Sequence, residues 1–338
     1  MNITALNKMI TAGYIKVNQH PTEELFIYNY SETAQFERVW NDITLQCRGL
    51  ILDGKGKVIA RPFPKFFNLE ELVNEPVPNL PFDVYEKMDG SLGISYTIGT
   101  EVYIATRGSF ISEQSVKANE LLNTKYVAAK TQMNPAVTYL FEIIYPQNRI
   151  VLDYGAKEEL VLLGRIETAT GKELPLTDIG FPMVKKYDGL TDIHQLKALA
   201  FDNKEGFVVR FANNFRLKVK FEEYVRIHRI MTQVSSKTIW ENLMANQPFN
   251  EILERVPDEF YQWVEMTKAR LEKEYKTVEN IAKSEYKELA TRKETALYFQ
   301  TCQYPKILFS MLDGKDYSET IWRYIRPAYE RPFDYRMT

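Results

Sequence analysis

The chain has 338 residues and a net charge of −2, with 43 Lys and Arg against 45 Asp and Glu. This length predicts two domains, or one large domain with a helical appendage, and the charge alone indicates neither a nucleic-acid partner nor a membrane surface. A hydrophobic content of 45%, with 13% aromatic residues, excludes a disordered, collagen-like or low-complexity chain.

Up to about residue 230, the sequence predicts short strands separated by turns. The runs Gly93–Ile98 and Glu101–Thr106 are joined by a two-residue loop that begins in Gly, which predicts a β-hairpin. A helix is predicted from a capping Ser112 to about Lys130. We therefore expect an α+β region with mostly antiparallel pairing. Further strands are predicted at Leu25–Tyr30, Gly49–Leu52, Val137–Ile144, Leu160–Ile166, Gly206–Phe211 and Phe215–Phe221.

Beyond residue 232 the composition shifts to Glu, Lys, Ala and Leu. We place the domain boundary here, which gives an N-terminal domain of residues 1–232 and a helical domain of residues 233–338. Apolar residues between Phe260 and Leu289 recur every three or four positions, so a long amphipathic helix is predicted. Its apolar face is explained equally well by packing within the domain and by oligomerisation.

Cysteine and histidine are scarce. Cys47 and Cys302 belong to no Cys-x-x-Cys or Cys/His cluster, so neither a disulfide framework nor a structural zinc site is indicated. Three histidines argue against a histidine metal cage or a serine–histidine triad. The sequence has neither a long apolar run nor a signal-peptide pattern, and we expect a cytoplasmic protein.

The first candidate for chemistry is Lys87, which precedes an Asp89-Gly90 turn. A lysine amine attacks phosphorus or carbonyl carbon only in its neutral form, which desolvation or nearby cations would favour. Taken alone, the tetrapeptide is more typical of an ordinary hairpin turn with a solvated lysine than of a nucleophile.

Two segments concentrate positive charge. Residues 48–67 carry five Lys or Arg and one Asp, and residues 204–229 carry seven Lys or Arg and three Glu, so each has a balance of +4. The second segment includes the alternating Arg216, Lys218 and Lys220. Such clusters suit a phosphate site, although an exposed strand whose lysines discourage edge pairing would have the same pattern.

Two carboxylates lie in apolar surroundings, Glu142 in one predicted strand and Glu205 before another. A carboxylate there must face solvent or find a cation or a hydrogen-bond donor, because burying it unpaired is costly. A ribose hydroxyl, a metal-bound water or a lysine would each satisfy it.

In chain order, these features resemble the motifs of the covalent nucleotidyltransferases, the superfamily of polynucleotide ligases and mRNA capping enzymes. Lys87-Met-Asp-Gly90 resembles the nucleophile motif, Phe141-Glu142 the third motif, Glu205-Gly206 the fourth and Lys218-Val-Lys220 the fifth. Within the superfamily the chain resembles most the ATP-dependent RNA ligase 1 family, typified by the bacteriophage T4 enzyme. The segments that carry this likeness, within about residues 25–230, are Cys47-Arg48-Gly49, Arg61-Pro62, Lys65-Phe-Phe-Asn-Leu69, Asp89-Gly-Ser-Leu92, Gly108-Ser109, Ser112-Glu-Gln114, Asn148-Arg-Ile-Val-Leu152 and Tyr224.

The resemblance implies an antiparallel-sheet nucleotidyltransferase domain of the ATP-grasp-like ligase type, followed by an all-α C-terminal domain. It implies joining of 5′-phosphate and 3′-hydroxyl RNA ends through an AMP held on Lys87 and then an adenylylated RNA. The implied cofactors are ATP and Mg²⁺ or Mn²⁺. The implied partners are single-stranded RNA or tRNA and a polynucleotide kinase-phosphatase, and we expect a monomer without a membrane partner.

Residue roles follow from the same resemblance. Lys218 and Lys220 would act with Lys87 by neutralising charge on the α-phosphate. Arg107 stands where the typical family enzyme has Lys. The implied nucleotide-binding residues are Arg48, Lys65, Phe67, Glu86, Gly90, Arg107, Glu142, Glu205, Lys218 and Lys220. The implied metal-binding residues, acting through water, are Asp89, Glu142 and Glu205, and Tyr224 matches a family tyrosine whose role here stays open.

Two alternatives remain from the sequence. The same covalent chemistry could act on DNA ends, or transfer GMP from GTP as capping enzymes do. The chain could instead be a non-catalytic RNA-binding protein on a ligase scaffold.

Overall fold

The structure is a computed structural model that describes residues 1–72, 76–148, 150–199, 204–222, 224–225, 234–249, 253 and 261–330. The chain divides into two compact units, residues 1–230 and residues 231–338. The first unit combines strands and helices, and the described part of the second unit is helical. The α+β class with a helical C-terminal region is therefore confirmed.

In the part of the first unit that the structure describes, the strands form three sheets. Their strand orders are β1-β2-β3-β4, β11-β10-β9-β7-β8 and β12-β6-β13-β14-β5. Every described ladder is antiparallel except the one between β14 and β5, which confirms the expected pairing. The strands are β1 Ile15–Gln19, β2 Leu25–Tyr30, β3 Arg48–Asp53, β4 Val58–Ala60, β5 Phe67–Asn68, β6 Phe82–Lys87, β7 Ser91–Ile98, β8 Glu101–Thr106, β9 Val137–Ile144, β10 Glu159–Glu167, β11 Glu173–Leu174, β12 Lys186–Tyr187, β13 Gly206–Phe211 and β14 Arg216–Lys220.

The helices of the first unit are short. Ser112 accepts a hydrogen bond from the Ser115 N–H and caps α3, as predicted. The predicted single helix is nevertheless interrupted at Tyr126, whose backbone is not helical and whose buried ring packs on Phe181. The helices are α1 Ile3–Thr11, α2 Glu32–Phe36, α3 Glu113–Thr124, α4 Val127–Lys130 and α5 Ile193–Ala198, with 3₁₀ turns at Leu69–Glu71 and Pro146–Asn148.

The second sheet, β11-β10-β9-β7-β8, contributes apolar residues to a core on each of its faces. One face of β9 contributes Tyr139 and Phe141 to a core with α3 and α4, and the other contributes Leu140 to a core with the first sheet. The third sheet buries Val84, Phe207 and other residues on the face that does not carry Lys87. Because side chains alternate along a strand, its other face is left for polar residues.

The second unit contains the predicted long helix. Its apolar positions Val264, Leu271 and Val278 are buried, which confirms the helical period. The helix ends at Glu285, before Leu289, and Phe260 lies outside the described residues. The helices here are α6 Ser236–Met244, α7 Tyr261–Glu285, α8 Arg292–Thr301, α9 Pro305–Leu312 and α10 Ser318–Tyr324. Within the described residues, none of the helices is both long and apolar enough to cross a membrane.

One glycine fixes the third sheet. Gly206 has a φ of +151°, and a Cβ at this position would overlap the Val219 carbonyl oxygen of β14. Only glycine combines that backbone conformation with so close a neighbour. Gly206 therefore sets how β13 lies against β14.

We predict that Gly206→Ala lowers the free energy of unfolding by about 2–4 kcal/mol, because backbone must move to admit the methyl group. Chemical denaturation of the two proteins measures the difference. The matched control is Gly108→Ala, where a Cβ meets nothing within 4 Å and a change of no more than about 0.5 kcal/mol is expected. Equal stability of the two variants would contradict the described packing of β13.

Candidate active site

The third sheet brings the predicted lysines together. In the register of β6, β13 and β14, Gly206 pairs with Lys87 on one side and with Lys220 on the other. Lys218 lies two residues earlier on β14, on the same face as Lys220. Residues 131 positions apart in sequence, Lys87 and Lys218, thus belong to one polar face.

Glu205 lies between two of these lysines. Its Oε2 atom is 2.6 Å from Lys87 Nζ, and its Oε1 atom is 3.2 Å from Lys220 Nζ. The side chain is only 3% exposed, so the two cations compensate a charge that would be costly to bury alone. Among the residues that the structure describes, no donor makes an aligned hydrogen bond to Oε2, so its contact with Lys87 is an ion pair.

Glu142 projects from β9 toward the same lysine. Its Oε1 atom accepts a hydrogen bond of 2.9 Å from the Gly90 N–H, and a Cβ on Gly90 would lie 2.7 Å from the Ile143 carbonyl oxygen. Glycine therefore lets the turn approach β9 closely. Burial raises the pKa of Glu142 to about 7, although Lys87 opposes the shift.

Asp89 is held by the protein itself. Tyr224 donates its hydroxyl proton to Oδ1 at 2.9 Å, and the Val151 and Leu152 N–H groups donate to Oδ2 at 2.9 and 2.8 Å. The Asp89 N–H in turn donates to the Tyr154 hydroxyl at 2.9 Å. These bonds hold the turn that follows Lys87 in place. Tyr224, whose role the sequence left open, thus contacts this turn through Asp89.

A cavity of about 840 Å³ opens beside Lys87. It lies between the second and third sheets, and residues from both sheets line it. Besides Lys87, six of the sequence-predicted residues line it: Arg48, Glu86, Gly90, Arg107, Glu142 and Lys218. Six others, Lys65, Phe67, Asp89, Glu205, Lys220 and Tyr224, are not among the residues that line it.

Cations of the cavity rest on aromatic faces. The Arg48 guanidinium lies 5.2 Å from the centre of the Phe66 ring, and Lys218 Nζ lies 5.5 Å from it. Phe66 lines the cavity, whereas the sequence had indicated Phe67, because consecutive residues of an extended chain face opposite sides. Ring faces stabilise cations by about 0.5–2 kcal/mol without neutralising them.

Lys65 is enclosed by rings. Its buried Nζ atom lies 5.3 Å from the ring centres of Tyr30, Trp40 and Phe67. The Arg107 guanidinium lies over the Tyr30 ring, 5.4 Å from its centre, and donates a hydrogen bond of 3.2 Å to the Tyr30 hydroxyl. The cage therefore connects Lys65 to a residue that lines the cavity.

Glu86 has its own partners. Its carboxylate accepts from Lys204 Nζ at 2.9 Å and from the Tyr187 hydroxyl at 3.1 Å. Because it precedes Lys87 on the strand, its side chain points to the opposite face. The structure thus separates the Glu86 carboxylate from that of Glu205, although Glu86 borders the cavity.

The predicted three-carboxylate metal set does not gather in the described part of the chain, which contains no group of three or more His, Cys, Asp or Glu side chains able to hold a metal ion. Asp89 has its oxygens occupied by protein donors. Glu142 and the Oε2 atom of Glu205 fit a hydrated Mg²⁺ better, since this ion keeps several waters and needs few protein ligands.

Sequence reasoning missed three groups: the Tyr30 and Trp40 rings around Lys65, the Tyr154 support of Asp89, and charged residues at the far end of the cavity. The alternation of Asp83, Tyr85 and Lys87 along one strand was a signal for the last group. The first two join residues distant in sequence, and no local pattern marks them.

We predict that Glu142 makes stability depend on pH. A carboxyl whose pKa is near 4.5 unfolded and about 7 folded binds more protons in the folded state between these values, so the free energy of unfolding falls as pH rises through this window. Glu142→Gln should remove this fall and be more stable than the wild type by roughly 1–3 kcal/mol at pH 8, but not at pH 4. Urea unfolding at both pH values measures it.

The control for this experiment is Glu120→Gln, which replaces an exposed carboxylate on α3. It should show no gain at pH 8. A gain in the control, or none in Glu142→Gln, would contradict the assigned burial effect.

Known proteins match the region of the chain that contains this site. A family model described as RNA ligase, of the T4 RNA ligase 1 type, matches residues 46–225, more than half of the chain. A protein of Autographa californica nuclear polyhedrosis virus described as a bifunctional polynucleotide kinase/RNA ligase is 27% identical over 72% of this chain and 39% of its own length. A protein of Thermovibrio ammonificans described as an RNA ligase is 29% identical over 65% of this chain and 60% of its own.

The RNA ligase of Rhodothermus phage RM378 is 24% identical over 42% of this chain and 41% of its own. The chain thus spans about 39–60% of the length of these relatives. A solved RNA ligase of Naegleria gruberi covers 51% of this chain and 59% of its own, with 18% identity and a TM-score of 0.42, which is too low to support an assignment by itself. The family match covers Arg48, Lys87, Glu142, Glu205 and both motif lysines, and the chain belongs to the RNA ligase family of the T4 RNA ligase 1 type.

Proposed function

We propose that this chain is an ATP-dependent RNA ligase that holds AMP on Lys87 and joins 5′-phosphate to 3′-hydroxyl RNA ends. The observation that supports it most is the placement of Lys87, at the edge of a large cavity and 2.6 Å from a carboxylate shared with a second lysine. An amine so placed suits attack on phosphorus. Family membership and the printed names of the relatives support RNA as the substrate.

In the proposed first step, Lys87 Nζ forms a bond to the α-phosphorus of ATP and the bond from that phosphorus to the pyrophosphate oxygen breaks. The ammonium must first lose a proton, and Glu205 Oε2 is within transfer distance of Nζ. Lys220 keeps Glu205 in place through its other oxygen, and Lys218 faces the cavity to offset charge on the phosphorus oxygens.

The two remaining proposed steps transfer and then release the AMP held on Lys87. The 5′-phosphate of an RNA end takes AMP from Lys87, and a 3′-hydroxyl then displaces AMP to close the strand. Arg48 and Arg107 line the cavity near Lys87 and suit phosphate binding, since a guanidinium can bind a phosphate through two N–H groups. Bound Mg²⁺ or Mn²⁺ would add electrostatic stabilisation, with Glu142 and Glu205 as the carboxylates that fit it.

The biological setting is a further proposal. Repair of broken RNA, including tRNA, is the role that the family resemblance suggests. One relative is described as a bifunctional polynucleotide kinase/RNA ligase, which supports a polynucleotide kinase-phosphatase that prepares RNA ends as a functional partner of the ligase.

We predict that Lys87→Arg abolishes formation of the covalent AMP adduct, because arginine keeps the positive charge beside Glu205 but is not a nucleophile at neutral pH. The purified protein is incubated with labelled ATP and Mg²⁺, and label retained through denaturing electrophoresis is measured. A loss of at least about 1,000-fold is expected. The control is Lys55→Met, an exposed lysine in the β3–β4 turn, which should retain wild-type labelling.

Sealing of a 5′-phosphorylated single-stranded RNA then tests the substrate. Preference for nicked DNA, or labelling by GTP in place of ATP, would overturn the RNA ligase assignment and favour the other nucleotidyltransferase branches. Salt-sensitive RNA binding without any adduct would instead indicate a non-catalytic RNA-binding protein.

A further inference from the structure

A cluster of charged side chains closes the end of the cavity away from Lys87. Arg210 donates to Asp83 Oδ2 at 2.7 Å and to Glu173 Oε1 at 2.9 Å. Arg216 contacts Glu173 as well, at 2.5 Å, and Lys186 lies 2.8 Å from Asp83 Oδ1. All five residues line the cavity, and we call them the end wall.

The end wall joins two sheets. Asp83 lies on β6, Arg210 on β13 and Arg216 on β14, and these three are direct neighbours in the ladder of the third sheet. Glu173 comes from β11 of the second sheet and lies against both arginines. Ion pairs therefore bridge the two walls of the cavity at this end.

The distance to Lys87 fits a nucleotide. Asp83 is four residues before Lys87 on β6 and shares its face, so the two lie roughly 13 Å apart along the strand, at about 3.3 Å per residue. With its α-phosphate at Lys87, a purine nucleoside monophosphate would extend along the strand as far as the end wall.

The middle of the cavity suits a flat base. Between Lys87 and the end wall, Tyr85 and Val208 are paired neighbours of the third sheet. Leu163, Leu176 and Val184 line the cavity too. An apolar slot can bind the two faces of a purine ring. The polar edge of the base then points toward the end wall.

Three members of the end wall are partly exposed. The Lys186, Asp83 and Arg210 side chains are 48%, 30% and 27% exposed, whereas Glu173 and Arg216 are 12% and 9% exposed. Each carboxylate oxygen can accept two hydrogen bonds, so Asp83 has capacity for another donor. Glu173 and Arg216 support the pair from behind.

We propose that Asp83 and Arg210 read the hydrogen-bonding edge of the nucleobase and select adenine over guanine. Asp83 accepts from the 6-amino group of adenine, and Arg210 donates to N1. Guanine presents an acceptor, O6, to the Asp83 carboxylate and a donor, N1–H, to Arg210, so both contacts become repulsive. The inference rests on the proposed nucleotide transfer to Lys87.

The test is Asp83→Asn, because the amide can present its NH₂ group to guanine O6 or its oxygen to the adenine amine. Initial rates of covalent adduct formation on the full chain are measured with labelled ATP and GTP. We expect the ratio of the two rates to fall at least about tenfold relative to the wild type. The control is Lys185→Met, an exposed lysine beside β12 outside the end wall, which should keep the wild-type ratio.

A second measurement does not depend on the variant folding. The wild-type protein is given purine riboside triphosphate, which lacks the 6-amino group, and should form adduct at least about tenfold more slowly than with ATP. Equal rates with these two nucleotides, or an unchanged ATP to GTP ratio in an adduct-forming Asp83→Asn protein, would overturn base reading by the end wall alone. Absence of any adduct in the wild type would overturn the proposed function, and this inference with it.

Discussion

The site depends on a buried carboxylate shared by two lysines. Glu205 is almost wholly excluded from solvent, and it contacts Lys87 with one oxygen and Lys220 with the other. Neither cation can leave without stranding a buried charge, which costs several kcal/mol. The antiparallel register of β6, β13 and β14, which Gly206 permits, is what brings the three charges into contact. The geometry of the third sheet therefore sets the position of Lys87, the proposed nucleophile.

The cavity stabilises its cations in two different ways. Near Lys87, Arg48 and Lys218 lie over the face of Phe66. At the far end, Arg210 and Arg216 are paired with carboxylates. A ring face leaves the positive field intact for a phosphate, whereas a carboxylate cancels it. This difference gives the cavity a direction that suits the proposed nucleotide binding, with phosphates at the Lys87 end and the base toward the other.

Hydrogen bonds from outside the cavity lining hold the turn that follows Lys87. Asp89 accepts three hydrogen bonds from Tyr224 and from the backbone at residues 151 and 152, and the same residue donates to Tyr154. In this structure Asp89 therefore supports the turn that follows Lys87. In the proposed reaction, this support would keep the Lys87 amine aligned for attack, because small displacements of reacting groups lower the rate strongly.

Local periodicity in the sequence is enough to predict the strands with clear alternation, the Ser112 cap and the helical C-terminal region, and the ordered motifs mark the lysines and glutamates proposed for the site. It could not decide that Asp89 faces protein donors, that Phe66 rather than Phe67 lines the cavity, or that Asp83, Glu173 and Arg210 meet at its end. Local spacing specifies which face of a strand a residue occupies. Only the packing of one sheet on another decides what that face meets, since the contacts join residues up to 135 positions apart.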